Sequence, residues 1–218
     1  MTKSSGSLTR HRVLEAALHL IDQEGLEGFS MRKLGASLGV EAMSLYNHVE
    51  NKRALFDGVI ELLILQAPSS EASAAPPREE LWAFAHAFRD VLLAHPRVLP
   101  LVATTPLRTP TTLAILDHLL ATIYRAQITG VQSIYALQCL VGFIVGHTWI
   151  ETGTLPVADQ ERGPNGPTVW RQFPAEQYPM LHELLPQIAL WNADQEFDFG
   201  LEALFQSLFG KTEKETRA

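Results

Sequence analysis

The sequence predicts an all-α protein in two parts, a small three-helix N-terminal unit and a larger helical body. Three observations carry this. Apolar residues recur with the 3.6-residue period of amphipathic helices along most of the chain, while the period-two alternation of a half-buried strand is absent. Ser, Thr, Asn, Gly and Pro stand where such helices would begin and end. The 218 residues are 46% hydrophobic and 19% charged, a globular profile long enough for one large domain or a small one joined to a larger.

Leu14, Ala17, Leu18 and Ile21 form the apolar stripe of a first helix, from about Thr9 to Glu24, ended by Gly25. Ser30 caps a second helix with an inner face of Met31, Leu34 and Leu38. Gly39 supplies the left-handed residue of a sharp exit. Val40, Leu45 and Val49 pin a very short third helix, and Asn51 caps a fourth that runs to about Leu65. Residues 66–77, QAPSSEASAAPP, read as a linker, which divides the chain into 1–65 and 66–218. Arg78 to Ala94 is a helix stopped by His95–Pro96, and Val98 to Ala103 forms a short one. Thr109 followed by Pro110 opens a helix to about Ala126. Ile128 to Glu151 is long and apolar on nearly every face. Seven Gly and Pro residues between 153 and 177 mark a long loop. Tyr178 to Leu190 is a helix kinked or broken near Pro186, Phe197 to Phe209 is the last helix, and KTEKETRA is a solvated tail.

The net charge of −7 is unevenly placed. Residues 1–60 hold seven basic and seven acidic side chains, so residues 61–218 carry the whole excess, and Lys3, Arg10 and Arg12 stand among the first 14 residues with no acid. An acidic body with a locally basic end suits a protein that touches phosphates at one end only. The lone Cys139 excludes an internal disulfide framework, fits a reducing cytoplasm, and reads as buried packing ahead of a reactive thiol. The N-terminus has no apolar signal segment, and Ile134 to Ile150 falls short of the roughly 20 residues a membrane span needs, so no membrane partner is expected.

The most informative stretch is FSMRKLGASLGVEAMSLYNHVENKRALFD, residues 29–57: helix, tight turn, very short helix, capped helix. The short helix bears Ser44, Tyr46, Asn47 and His48, polar or amphipathic groups that a purely structural helix does not need. That is the pattern of a helix-turn-helix, whose second helix enters the DNA major groove.

SLYNHVENKRALFD resembles the recognition-helix signature of the TetR/AcrR family of bacterial transcriptional repressors. PMLHELLPQIALWNADQEFDFGLEALFQSLFG is similar in pattern to the C-terminal helices of the tetracycline-repressor class. The resemblance implies a cytoplasmic homodimer in which residues 131–151 and 194–209 pack against their symmetry mates, an effector pocket in each body, and double-stranded operator DNA as partner. Matched residue by residue, Arg32 reaches a base edge; Ala42, Met43, Ser44, Tyr46, Asn47 and His48 occupy the short-helix positions; Tyr46, His48 and Lys52 hold phosphates. Tyr46 also reads as a packing aromatic, His48 as a helix cap and Arg32 as a surface charge. Ala42 and Met43 replace the glutamine and proline of the tetracycline repressors, so the operator should differ from theirs.

In the same comparison Leu101 stands where that class has its metal-holding histidine, Thr105 where it has an arginine, Phe84 an asparagine and Pro68 another histidine. Phe88 alone keeps its type. Tetracycline–magnesium recognition is therefore not expected, and neither a metal nor another cofactor. Trp82, Phe84, Phe88, Leu101, Val102, Leu116 and Leu119 offer an apolar pocket, to which His86, His118, Gln138 and His147 can add polar groups. Ordinary core is the competing reading for the aromatics. His147 and Glu151, at i and i+4, share a helix face but are too few for a metal site. Gly142 and Gly146 allow close helix approach in a dimer core. No nucleophile–base set, phosphate loop or metal triad points to an enzyme. The alternative is a helical ligand-binding or scaffolding protein without specific DNA binding.

Overall fold

The computed structural model describes residues 7–67, 75–153, 172–188 and 190–210, and among them every regular element is helical. The 66–77 linker and the 153–177 loop therefore lie mostly, and the tail entirely, outside the described residues, as do Lys3 and Pro68.

Local capping chemistry sets the N-terminal helices. Thr9 accepts a hydrogen bond from the Arg12 amide at 3.2 Å and starts α1 (Arg10–Gly28). Gly25, at φ +73°, kinks α1, and the chain continues helically to Gly28 instead of ending at Gly25 as expected. Ser30 caps α2 (Met31–Leu38), and Gly39, at φ +70°, closes it in the left-handed region. After α3 (Ala42–Leu45), Asn51 accepts from the Ala54 amide at 2.9 Å and opens α4 (Lys52–Ile64).

The body begins with α5 (Pro77–Ala94), a 3-10 turn at Pro96–Val98 and α6 (Leu99–Thr104). α7 (Pro110–Arg125) has the Thr109 cap and the Pro at its first position. α8 (Val131–Thr152) starts three residues later than expected, because Gln127 and Gly130 adopt positive φ and make the connection a sharp turn. α9 (Pro179–Ile188) runs through Pro186 and, of the kink or break expected there, is not broken. α10 (Ala193–Phe209) starts four residues before Phe197, where Asn192 caps it by accepting from the Gln195 amide.

α8 is the axis of the body. Ser133, Ala136, Leu137, Leu140, Ile144, Val145 and Thr148 form its buried stripe, against α5, α7 and α10. Its 22 residues are more than the Ile134–Ile150 segment implied, and the helix is long and apolar enough to cross a membrane; one face packs into the body, and Ile134, Tyr135 and Ile150 of the same helix are exposed. Cys139 lies off that stripe and is exposed, contrary to the expected burial, because it follows Ala136 and Leu137 onto the opposite face.

One continuous hydrophobic cluster runs from Val13 in α1 to Phe205 in α10, so packing does not stop at the 66–77 connection. α1 meets the 3-10 turn directly: His95 Nδ1 lies 2.8 Å from Asp22 Oδ2, and Arg97 donates to the Gln23 carbonyl. On the other side Glu61 of α4 accepts from Thr111 of α7 at 3.1 Å and pairs with Arg10 of α1. These contacts tie the N-terminal head to the body at two places.

Candidate functional site

The head presents a polar set on an apolar seat. Leu34, Leu45 and Val49 are buried and hold α2 and α3 against α1 and α4. With Leu45 turned inward, Met43 (73% exposed) and Tyr46 (42%) face out, beside exposed Asn47 and half-buried Ala42, Ser44 and His48. Of the predicted reading residues only Ala42, Met43 and Ser44 lie in α3 itself. Tyr46, Asn47 and His48 occupy the hydrogen-bonded turns after it, with amides donating to Met43, Ser44 and Leu45 at 3.2, 3.4 and 2.9 Å.

Two cations of the head stand differently. Arg32 is exposed on α2, whereas its neighbour Lys33 is held by Glu24 and the Gly28 carbonyl. The Lys52 ammonium sits 5.3 Å from the ring centroids of both Phe29 and Phe56, so two aromatic faces position it at the start of α4. Sequence reasoning missed Gly35. A Cβ there would lie 2.9 Å from the Val40 carbonyl oxygen and 3.0 Å from the Ala42 nitrogen, so α2 and the entry to α3 touch backbone to backbone. A Gly inside α2, seven residues before the start of α3, was the available signal.

Of the predicted effector residues, Trp82, Phe84, Phe88, Leu101, His118, Gln138 and His147 do not form one set. Phe84 and Phe88 stack at 5.7 Å and are buried in the central core with Leu101. Trp82 points towards α10, edge-on to Phe205 at 5.7 Å with the Arg78 guanidinium over its ring. His118 lies 2.7 Å from Glu80, which also accepts from Thr122 and Arg125. Burial pushes the Glu80 carboxyl up, but the hydrogen bonds from Arg125, Thr122 and His118 outweigh it and hold it below the usual value. Gln138 is exposed on the outer face of α8. His147 is packed between Phe143 and Phe197. A groove of about 390 Å³ lies elsewhere, between α9 and α10, lined by Leu184, Ile188, Leu190, Trp191 and Glu196 among others.

The strongest polar feature of the body is one the sequence reading missed. Arg89 of α5 is 3% exposed. Its Nη2 donates to Glu151 Oε1 and Oε2 of α8 at 3.0 and 2.9 Å, its Nε to Oε2 at 3.2 Å, and its Nη1 to Asp194 of α10 at 2.8 Å. The guanidinium lies 4.8 Å from the Phe197 centroid. Burial opposes its charge, yet the bonds to Asp194 and Glu151 prevail and raise its pKa. Three helices are thus joined by one side chain. Arg89→Leu strands Glu151, and should cost about 3 kcal/mol, the lower end for a broken buried pair because Asp194 is largely exposed. Chemical denaturation measures it, and a loss below about 1 kcal/mol would show that water replaces the guanidinium.

Comparison with known proteins adds three findings. The model described as bacterial regulatory proteins, tetR family, matches residues 13–59, and that of the tetracyclin repressor-like C-terminal domain matches residues 75–208. Among curated proteins, the chain is 29% identical over 216 residues to the HTH-type transcriptional repressor DrrR1 of Streptomyces coeruleorubidus, covering 93% of this chain and 77% of that one. It is 30% identical over 197 residues to the class E tetracycline repressor protein of Escherichia coli, covering 88% and 86%. Among solved structures, a possible TetR family transcriptional regulator from Streptomyces coelicolor superposes with a TM-score of 0.75 at 29% identity, over 91% of this chain and 98% of that one.

Proposed function

This chain belongs to the TetR family of bacterial transcriptional regulators, and we propose that it acts as a homodimeric repressor whose two heads occupy a pseudo-palindromic operator and whose body binds a small, largely apolar effector that releases it. The observation that carries the reading is the head: a fully buried Leu45 fixes a short helix and the turns after it, from which Met43, Tyr46 and Asn47 face out, with Ser44 and His48 half-buried beside them and Arg32 exposed on α2. In this reading residues 1–65 recognise DNA and residues 66–218 bind effector and dimerise. Arg32 and Asn47 reach base edges, Ser44 donates or accepts there, Ala42 and Met43 shape the apolar contact, and Tyr46, His48 and Lys52 hold phosphates. The two heads meet successive major grooves about 34 Å apart.

Support for the dimer comes from the outer face of the body. Ile134, Tyr135 and Ile150 of α8 and Phe199 of α10 (78% exposed) are large apolar side chains facing out, and among the described residues a Cβ added at Gly142 or Gly146 would meet nothing within 4 Å. A symmetry mate packed there would cover these residues and Cys139 together. Release by effector then requires that the ligand favour one spacing of the heads over another. The ties from Asp22 to His95 and from Glu61 to Thr111 are the routes by which a shift in the body reaches the head.

The test is to recover and sequence genomic fragments bound by the purified protein. Enrichment of one pseudo-palindrome is the expected result; none at low salt, with or without added small-molecule extract, overturns the reading. On the recovered operator, Arg32→Ala should weaken specific binding by about 1–3 kcal/mol. An unchanged ratio of specific to non-specific affinity would remove Arg32 from the base-reading set.

A further inference from the structure

His147 is buried to nine-tenths, and its two ring nitrogens are shielded from solvent without a hydrogen-bond partner among the described residues. Each nevertheless faces a carboxylate. Nδ1 lies 3.6 Å from Glu151 Oε2 on α8, and Nε2 lies 3.7 Å from Glu196 Oε2 on α10. Both gaps are too long for a hydrogen bond, which spans about 2.7–3.2 Å, and too short to admit a bridging water. The ring is held there by Phe143 at 5.7 Å and by Phe197, edge-on at 5.2 Å.

The surroundings connect this histidine to α5, to α10 and to the turn before α10. Glu151 is the carboxylate that holds Arg89 of α5. Glu196 accepts from the Trp191 indole at 2.7 Å, ahead of α10 and beyond α9. The other charged or titratable groups about the same Phe197 ring and Arg89 guanidinium are His86 of α5, 3.1 Å from Asp198, and Asp194 of α10.

We infer that His147 is a proton-binding site that controls the docking of α10 on α8, and that acidification loosens the body through it. A proton arriving at His147 adds a positive charge beside Arg89 and the carboxylates of Glu151 and Glu196, and the two N–H groups of the imidazolium need acceptors that the present geometry holds beyond hydrogen-bond distance. Either Glu151 leaves Arg89 to meet it, or the ring leaves its aromatic seat; both weaken the α5–α8–α10 junction. Burial keeps the ring neutral, lowering its pKa below the ordinary 6.5, with Glu196 and Glu151 opposing and Arg89 adding to the effect. A folded value below the unfolded one means that stability is full above about pH 6.5 and falls as pH drops towards the folded value.

The experiment compares the full-length protein with His147→Gln, which is neutral at every pH. Thermal unfolding is followed between pH 7.5 and 5, and imidazole proton resonances are titrated by NMR. The resonance absent from His147→Gln should titrate below the ordinary imidazole range, and the wild-type midpoint should fall by about 2–4 °C more than the variant's. His86, His95 and His118 remain in both proteins and cancel. Glu196→Gln serves if His147→Gln does not fold: without that carboxylate the same resonance should titrate at a still lower pH. Equal pH slopes in the two proteins, a resonance at the ordinary value, or no response to Glu196→Gln overturns the inference. None of these readouts requires an operator, so they stand apart from the DNA-binding proposal.

Discussion

Phe197→Ala should lower stability by about 3–5 kcal/mol, the cost of emptying a fully buried aromatic site. Phe197 is 0% exposed and is the ring on which the body's polar junction rests. It stacks on Phe143 at 5.3 Å, meets the edges of His86 and His147 at 5.2 Å each, and lies under the Arg89 guanidinium. Truncation leaves a void among side chains from three helices and removes the cation's aromatic partner at once. Gly200, one turn further along α10, restricts any collapse: a Cβ there would already sit 2.6 Å from the Phe143 ring, so the helices are as close as they can come. For a chain of this size the melting midpoint should drop by roughly 6–20 °C, followed by circular dichroism. A fall of under about 2 °C would mean that α10 can slide to fill the space.

The second large effect is on binding, through a residue with no side chain. Gly35→Ala should reduce specific operator affinity at least about tenfold, the equivalent of 1.4 kcal/mol, within the usual 1–3 kcal/mol of overpacking. The atoms a new methyl would meet, the Val40 oxygen and the Ala42 nitrogen, are backbone. They cannot rotate aside, so α3 itself must move, and with it Met43, Ser44 and the turn carrying Tyr46, Asn47 and His48. Salt-dependent non-specific binding should survive, because phosphate contacts tolerate small displacements and base contacts do not. Competition with random DNA separates the two. Equal losses of both kinds would point to an unfolded head, and no loss would show that α3 is mobile enough to absorb the methyl.

The corrections to the sequence reading share one origin. Gly25 was read as a stop, yet α1 resumes after a kink because Phe29 beyond it is buried against the head's core and Leu26 packs beside it. Cys139 was read as buried because its neighbours are apolar, but apolar neighbours on both faces of α8 do not say which face meets the body. Trp82, Phe84 and Phe88 share α5, yet the first turns to α10 and the other two to the central core. A residue's place along a helix is visible in the sequence; the partner that its face meets is not.

The sequence by itself determined the helices and the reading head. Ser30, Asn51 and Thr109 cap the helices they were expected to cap, and Gly39 turns where a left-handed residue was needed, because caps and turns are settled by atoms within a few residues. The tertiary structure alone decided the Arg89 junction, the buried seat of His147 and the contact at Gly35. Arg89 meets Glu151 and Asp194 across sequence separations of 62 and 105 residues. Pairings of that kind depend on which helix faces come together in three dimensions, and no local pattern in the chain encodes them.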